Sequence, residues 1–256
     1  MAYEEKEITL VAYNESAETI SNHISKLNNI SKYLLAAVKV EDIVDVSFDT
    51  SDKNLFQKHM SLRIRKINGR CLFTLKSNPV FDMSGTVKRD ELELEWKPDL
   101  FDKLIDALIA SGIKIPCNYA FDFDWYKSMS SLGMNVLQER HTKRLAKEIY
   151  CEQILVAELA IDEVKYRYEQ GDVFHREIEI ESKSTSGDSA ISIISKHLVE
   201  KYPNTLWTWM LSKLELGMAL QDLIMSGNRE ILDNKKISQE LYHQLNVQWK
   251  RKSELI

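Results

Sequence analysis

Polar and apolar residues alternate along the first half of the chain in short segments, the period-two signature of β-strands. The alternation predicts strands over 4–12, 41–49, 60–67, 70–77 and 85–96. Asn68-Gly69, between the third and fourth of these, predicts a tight turn because both residues tolerate positive φ. Between the first two strands, Ile20, Ile24, Leu27, Leu34 and Leu35 recur at mostly helical spacing across 15–39, so a broken helix or two short ones are expected, interrupted near Asn28-Asn29. Leu104, Ile105, Leu108 and Ile109 make the apolar stripe of a helix from Leu100 to Ala110, with Asp99 as its expected cap and Gly112 as its stop. Irregular chain is expected from Pro116 to Leu132. Alternation then returns at 135–149, 153–168 and 173–183, which makes eight strands.

From Ser184 the pattern changes. A Ser-Thr-Ser-Gly-Asp loop, with Asp188 as a candidate cap, leads into helical periodicity over 189–202 and 204–222. Ser226-Gly227-Asn228 breaks the chain again, and 229–256 holds at most one amphipathic helix, with Ile237, Leu241, Leu245 and Trp249 four residues apart. The expected organisation is a main body over 1–222 and a helical extension of the same domain over 223–256, which could plug one mouth of a barrel.

The polar positions of the strands are charges sorted by strand. Arg63 and Arg65 alternate with Leu62 and Ile64, and Thr74 and Lys76 with Phe73 and Leu75. Arg89, Glu91 and Glu93 are set against Leu92 and Leu94. Later come Arg140 and Arg144, then Glu158 and Asp162, then Glu177, Glu179 and Glu181 against Ile178 and Ile180. A run such as 177–181, taken alone, is an ordinary solvated strand face. Repetition across strands, with acids and bases segregated, points further. The strands could form a flat sheet with one wet face or a closed barrel with a charged interior. The apolar stripes of the helices need a partner, and the apolar strand faces are the available one, so the charges are expected to face inward. The fold class is therefore α+β, an eight-stranded closed antiparallel barrel with helices around it.

Buried charge is costly unless paired or completed by a ligand. Clustered carboxylates such as Glu5, Glu7 and the 177–181 row suit a hard divalent cation, Mg2+ or Mn2+. Arginine forks suit the oxygens of a polyanion bridged to that metal, and a triphosphate is the natural ligand.

At 256 residues and 44% hydrophobic content the chain can bury a substantial core, and its net charge of −5 argues against a general nucleic-acid or membrane-surface binder. Cys71, Cys117 and Cys151 lack the paired spacing of a zinc site and read as reduced thiols. The N-terminal residues are charged where a signal peptide is apolar, and no stretch approaches the ~20 apolar residues of a membrane span, so a cytoplasmic protein is expected. The Lys250-Arg251-Lys252 run reads as a solvated helix end.

In order and spacing, Glu5-x-Glu7, Phe48-Asp49-Thr50, Leu62-Arg63-Ile64-Arg65, Thr74-Leu75-Lys76, Arg89-x-Glu91, the run 157–162, the run 177–181 and Ser212-Lys213 resemble the triphosphate tunnel metalloenzymes, or CYTH domain, a family that includes class IV adenylyl cyclases and thiamine triphosphatases. The resemblance implies an eight-stranded tunnel that binds a triphosphate and one or two divalent metals. It implies Arg63, Arg65, Lys76, Arg89, Arg140 and Lys213 as phosphate ligands, with Arg144 beside them. It implies Glu5, Glu7, Glu177 and Glu179 as metal ligands, supported by Glu91, Glu158, Asp162 and Glu181, with Glu158 or Asp162 also placed to orient the attacking water. The sequence departs from the pattern in two places. Thr9 stands where the family has the lysine of Glu-x-Glu-x-Lys, and Lys6 would point to the opposite strand face. Ser47 stands where an aromatic residue is common.

The expected activity is metal-dependent hydrolysis of inorganic tripolyphosphate or an organic triphosphate such as thiamine or nucleoside triphosphate. The alternatives are a class IV-type adenylyl cyclase that makes cyclic AMP from ATP, and a binding module without turnover, which Thr9 motivates. The expected partners are a small-molecule triphosphate and, in a homodimer, a second copy of the chain, with no nucleic acid and no membrane.

Overall fold

A computed structural model describes residues 3–13, 16–82 and 85–253. Eleven strands and eight helices lie among the described residues. The strands are β1 (Tyr3–Ala12), β2 (Asn29–Ile30), β3 (Tyr33–Thr50), β4 (Ser61–Ile67), β5 (Arg70–Lys76), β6 (Val80–Phe81), β7 (Val87–Glu95), β8 (Met134–Cys151), β9 (Ile154–Tyr168), β10 (Gly171–Ser182) and β11 (Leu206–Trp209). The helices are α1 (Ala17–Ser25), α2 (Asn54–Gln57), α3 (Pro98–Ala110), α4 (Trp125–Ser131), α5 (Gly187–Lys201), α6 (Lys213–Met225), α7 (Glu230–Asn234) and α8 (Gln239–Ser253).

Hydrogen bonding runs β11-β1-β10-β9-β8-β3-β4-β5-β7-β6, and a further pairing of β1 with β7 closes the path into an antiparallel barrel. Its eight long strands are the eight that alternation predicts. The Asn68-Gly69 turn takes positive φ at both residues, 50° and 77°. No helix among the described residues is long and apolar enough to cross a membrane. The three cysteines carry free thiols.

Several local expectations are corrected. The second half of 15–39 is not helix: α1 stops at Ser25, and β2 pairs with the start of β3, Ile30 opposite Tyr33. Leu34 and Leu35 fit either period, and pairing decides for the strand. The cap of α3 is Lys97, with Pro98 in the first turn, where its fixed φ suits a helix start; Asp99 lies one residue further in. The stretch 116–132 contains α4, capped by the Asp124 side chain accepting from Tyr126 N at 3.1 Å and held by buried Trp125 and Met129. Residues 204–222 begin as β11, where Trp207 and Trp209 suit a strand pairing with β1, and the helix starts at Lys213 after a capping box made by Ser212 and Glu215. The C-terminal segment holds two helices, separated at Lys235 by a φ of 52°.

The chain divides into two compact units. The first comprises 43–80 and 89–140 with residues 3–4. Its core packs α3 and α4 on the apolar strand positions Phe48, Leu62, Ile64, Phe73 and Leu75. The second comprises the described residues of 5–42, 81–88 and 141–253. There α1 and α5 cover Ile8, Leu10, Leu159, Ile178 and Ile180. A separate core joins α6 and α8 to Val11, Val164, Tyr166, Val173 and Trp209.

The start of α5 lies against β9 with no room to spare. The N-cap is Ser186 rather than Asp188, which instead accepts from Ser182 Oγ at 2.9 Å and Lys6 Nζ at 2.7 Å. A Cβ on Gly187 would lie 2.1 Å from Val156 O and 2.5 Å from Ser182 Oγ. Gly187→Ala is therefore expected to cost about 3 kcal/mol through forced displacement of β9 or α5, read as a lowered Tm; an unchanged Tm would contradict this close approach.

Candidate functional site

In the first unit, pairing places Asp45 opposite Arg65, and sets Ser47, Arg63, Thr74 and Glu93 in one row. Cross-strand partners share a sheet face, so period two puts all of these on the face away from α3 and α4. Asp45 is 1% exposed. Arg65 grips it with two bonds, Nε to Oδ1 at 2.8 Å and Nη2 to Oδ2 at 2.9 Å. Arg140 Nη2 adds a bond to Oδ2 at 3.0 Å, and Arg63 Nη1 stands 3.7 Å from the same oxygen. Burial works against the carboxylate, but Arg65, Arg63 and Arg140 outweigh it and hold Asp45 well below the usual aspartate value. Burial, followed by repulsion from Arg65, lowers Arg63.

Arg63 Nη2 also lies 4.0 Å from Glu93 Oε2, so Asp45 and Glu93 face three guanidinium groups and an excess of positive charge remains. Among the described residues, Nε of Arg63 and Nε of Arg140 are buried without a hydrogen-bond partner. These donors suit an anion with several oxygens. Nearby on the same face, Lys76 Nζ lies 2.8 Å from Glu91 Oε2, and Thr74 Oγ1 donates to Glu93 Oε2 at 3.0 Å. Arg89 is half-buried. Phe48-Asp49-Thr50 has a local role: Asp49 accepts from Leu55 N at 2.9 Å and Phe56 N at 2.8 Å, pinning the start of α2.

The second unit has the opposite balance. Register aligns Glu7, Glu181 and Glu158 in one row, Thr9 with Glu179, and Val11, Glu177 and Asp162 in another. Glu5, Glu7, Asp162 and Glu177 are buried, and Glu158, Glu179 and Glu181 partly so. Asp162, Glu177 and Glu179 each offer an oxygen within 4.8 Å of the others. Lys213, in the first turn of α6, enters this group. Its Nζ lies 3.0 Å from Asp162 Oδ2, bonds Glu179 Oε1 at 2.5 Å and contacts Glu177 Oε1. Burial opposes its charge, but Glu177, Glu179 and Asp162 raise Lys213 above the ordinary lysine value. Arg144 forks onto Asp162 at 2.8 and 2.6 Å and reaches Glu179 Oε2 at 2.5 Å. Burial again opposes and Asp162 and Glu179 prevail, so Arg144 is raised well above its usual value. Glu181 pairs with Lys183 at 2.7 Å.

Carboxylates outnumber cations on this face. The donor set is all oxygen, as a hard divalent ion requires, and the Lys213 ammonium marks where three carboxylates converge on positive charge. Asp162, Glu177 and Glu179 are the residues that could hold such an ion, with Glu5, Glu7, Glu158 and Glu181 on the same face.

The structure thus groups Arg63, Arg65 and Arg140 in one unit, and Arg144, Lys213, Asp162, Glu177 and Glu179 in the other. Arg144 and Lys213 are engaged by carboxylates. Lys6 points to the opposite face from Glu5 and Glu7, as strand geometry requires, and bonds Asp188. Three partners escape sequence reasoning. Asp45 stands singly between Val44 and Val46, although its in-phase position with Ser47 was a usable signal. His175 bonds Glu177 Oε2 through Nε2 at 2.8 Å. Tyr242 bonds the other ring nitrogen of His175 at 2.7 Å.

The fold is a closed antiparallel barrel, with guanidinium groups clustered in one unit and carboxylates converging in the other. The chain belongs to the CYTH domain family, whose model matches residues 15–202. Members of this family bind triphosphates and depend on a metal. Two solved structures share the fold. One is a candidate adenylyl cyclase of Hippeastrum, HpAC1, described as revealing a dominant triphosphatase activity, at 20% identity and a TM-score of 0.52 over 87% of this chain and 96% of that one. The other is a candidate adenylate cyclase of Bacillus halodurans, at 18% identity and a TM-score of 0.50 over 83% and 97%. A search of curated protein sequences gave no match.

Proposed function

We propose that the protein hydrolyses a phosphoanhydride bond of a triphosphate with Mg2+ or Mn2+. The observation that carries this is the segregation of charge: three arginines converging on Asp45, with two buried Nε donors that have no hydrogen-bond partner, and a separate convergence of Asp162, Glu177 and Glu179. Arg63, Arg65 and Arg140 bind phosphate oxygens, and as permanently charged donors held in place they stabilise charge that develops there during transfer. Lys76 and Arg89 extend this set. Asp162, Glu177 and Glu179 hold the metal, supported by Glu5, Glu7, Glu91 and Glu181. When bound, the metal supplies Lewis-acid stabilisation of phosphate oxygens and lowers the pKa of associated water. Glu158 or Asp162 orients the attacking water, and Arg144 and Lys213 bring counter-charge to the acidic cluster. Thr9, small and uncharged opposite Glu179, adds no cation of its own.

The test is phosphate release from tripolyphosphate, thiamine triphosphate and nucleoside triphosphates with each metal. Release is expected for at least one of them, and Glu7→Ala and Glu177→Gln are each expected to lower it by about 100-fold or more. Full activity in both variants would overturn the metal-site assignment. Cyclic AMP and pyrophosphate from ATP, without phosphate, would replace hydrolysis by cyclisation.

A further inference from the structure

The family match ends at residue 202, yet the segment beyond it reaches the acidic cluster. Phe174 N donates to Lys235 O at 2.9 Å, and Phe174 forms a parallel bridge with Lys236, which ties the α7–α8 connection to β10. Helix α8 then lays Leu241 and Leu245 among Val164, Val173 and Trp209. These strand positions are in phase with Asp162 and Glu177, so the helix covers one end of the same face that carries the carboxylates. Tyr242, 3% exposed, stands edge-on to Trp209 with ring centroids 5.6 Å apart. Its hydroxyl lies 2.7 Å from His175 Nδ1, while His175 Nε2 lies 2.8 Å from Glu177 Oε2.

From this geometry we infer that Tyr242 and His175 are positioning residues, which hold the Glu177 carboxylate for the metal, so that the C-terminal helix sets the metal affinity of the acidic cluster. The inference rests on the metal assignment made above.

Proton placement follows from the partners. A carboxylate accepts only, so the imidazole presents its N–H at Nε2 to Glu177, in the Nε2–H tautomer. Nδ1 is then an acceptor, and the Tyr242 hydroxyl donates to it. Burial raises the phenol, which keeps that proton. The histidine side chain is fully buried, so no solvent replaces Tyr242 if the hydroxyl is removed. The ring then loses the bond that fixes its tautomer and orientation, and Glu177 loses a fixed donor. Lys213 contacts the other Glu177 oxygen, so loss of the histidine bond leaves the carboxylate free to turn toward the ammonium.

The experiment is Mn2+ titration of the full-length protein by calorimetry, without substrate, with Tm measured in parallel. Tyr242→Phe is expected to weaken Mn2+ binding by about tenfold, the effect typical of an outer-shell partner. His175→Gln, which keeps a donor for Glu177 but does not need Tyr242, is expected to weaken binding less, and adding Tyr242→Phe to it should change nothing further. Leu241→Ala removes packing from the same helix and should lower Tm while leaving the Mn2+ Kd within about twofold. Wild-type affinity in Tyr242→Phe, with binding lost in Glu177→Gln, overturns the inference and leaves the metal site standing. Equal weakening by Leu241→Ala overturns it as well, by reducing Tyr242 to a packing residue. Additive effects of the His175 and Tyr242 substitutions break the relay even if Tyr242→Phe alone folds poorly. Absence of Mn2+ binding by the wild type overturns both the metal assignment and the inference.

Discussion

Asp45→Asn is expected to lower the unfolding free energy by about 3 kcal/mol near neutral pH, and at the same time to increase the Tm shift produced by tripolyphosphate. Both effects have one cause. Asp45 is the shared counter-ion of Arg65, Arg140 and Arg63, and asparagine keeps the shape but not the charge. Three buried guanidinium groups then repel one another in the free protein, and a polyanion that enters meets a stronger field. The pH dependence has a definite sign. A carboxyl depressed in the folded state contributes stability that is fully present above its unfolded value, about 4, and is lost as pH falls through the folded value. Denaturant unfolding of wild type and variant across acid pH should therefore give curves that converge below about pH 4. A gap that widens in acid, or a smaller tripolyphosphate shift in the variant, would refute the counter-ion role.

Lys213→Met probes the other unit, where the residue removed is a cation and the ligand that replaces it is a metal ion. Removal of the ammonium leaves Asp162, Glu177 and Glu179 with Arg144 as their nearest cation. The metal-free variant should lose about 3 kcal/mol or more, because taking away one partner of a buried ionic cluster strands the others. Mn2+ should restore much of that loss, since the ion no longer competes with a tethered charge. The comparison is Tm with chelator against Tm with Mn2+. A larger metal-induced shift in Lys213→Met than in wild type is expected, together with reduced phosphate release. An equal or smaller shift would show that Lys213 does not occupy the place of a metal ion.

These two residues show what the sequence makes legible. Period two exposes strand faces directly, so the sorting of Arg63, Arg65, Glu177 and Glu179 is visible in the alternation itself, and so is the barrel it implies. Lys213 is visible as a base, but that it meets three carboxylates depends on the approach of α6 to β9 and β10. Asp45 is legible as a polar position and not as a partner. Its role arises only when strand pairing sets it opposite Arg65 and the fold brings Arg140 to it across 95 residues. His175 and Tyr242 lie 67 residues apart, and no local pattern joins them. The missed elements have similar causes. The second half of 15–39 carries apolar pairs that satisfy both periods, and β11 is a four-residue strand whose pattern is too short to separate from the helix that follows.

The pairing of β1 also constrains how the protein can be made. Its residues pair with β10, Glu7 opposite Glu181, and with β11, Thr9 opposite Trp209, both far along the chain. The N-terminal strand leaves the ribosome first; one of its edges can meet β7 early, but the edge that pairs with β10 must wait for residues about 170 positions later, roughly 10–35 s at synthesis rates of about 5–20 residues per second. During that interval Ile8 and Leu10, fully buried in the finished barrel, lack β10 and the α5 residues that complete their burial. The β8–β9–β10 meander, built from neighbouring hairpins, has the lower loop-closure cost and is the natural place for folding to begin. Nascent chains should therefore carry a sticky N-terminal segment through most of their synthesis, and holdase binding should concentrate there until β10 emerges.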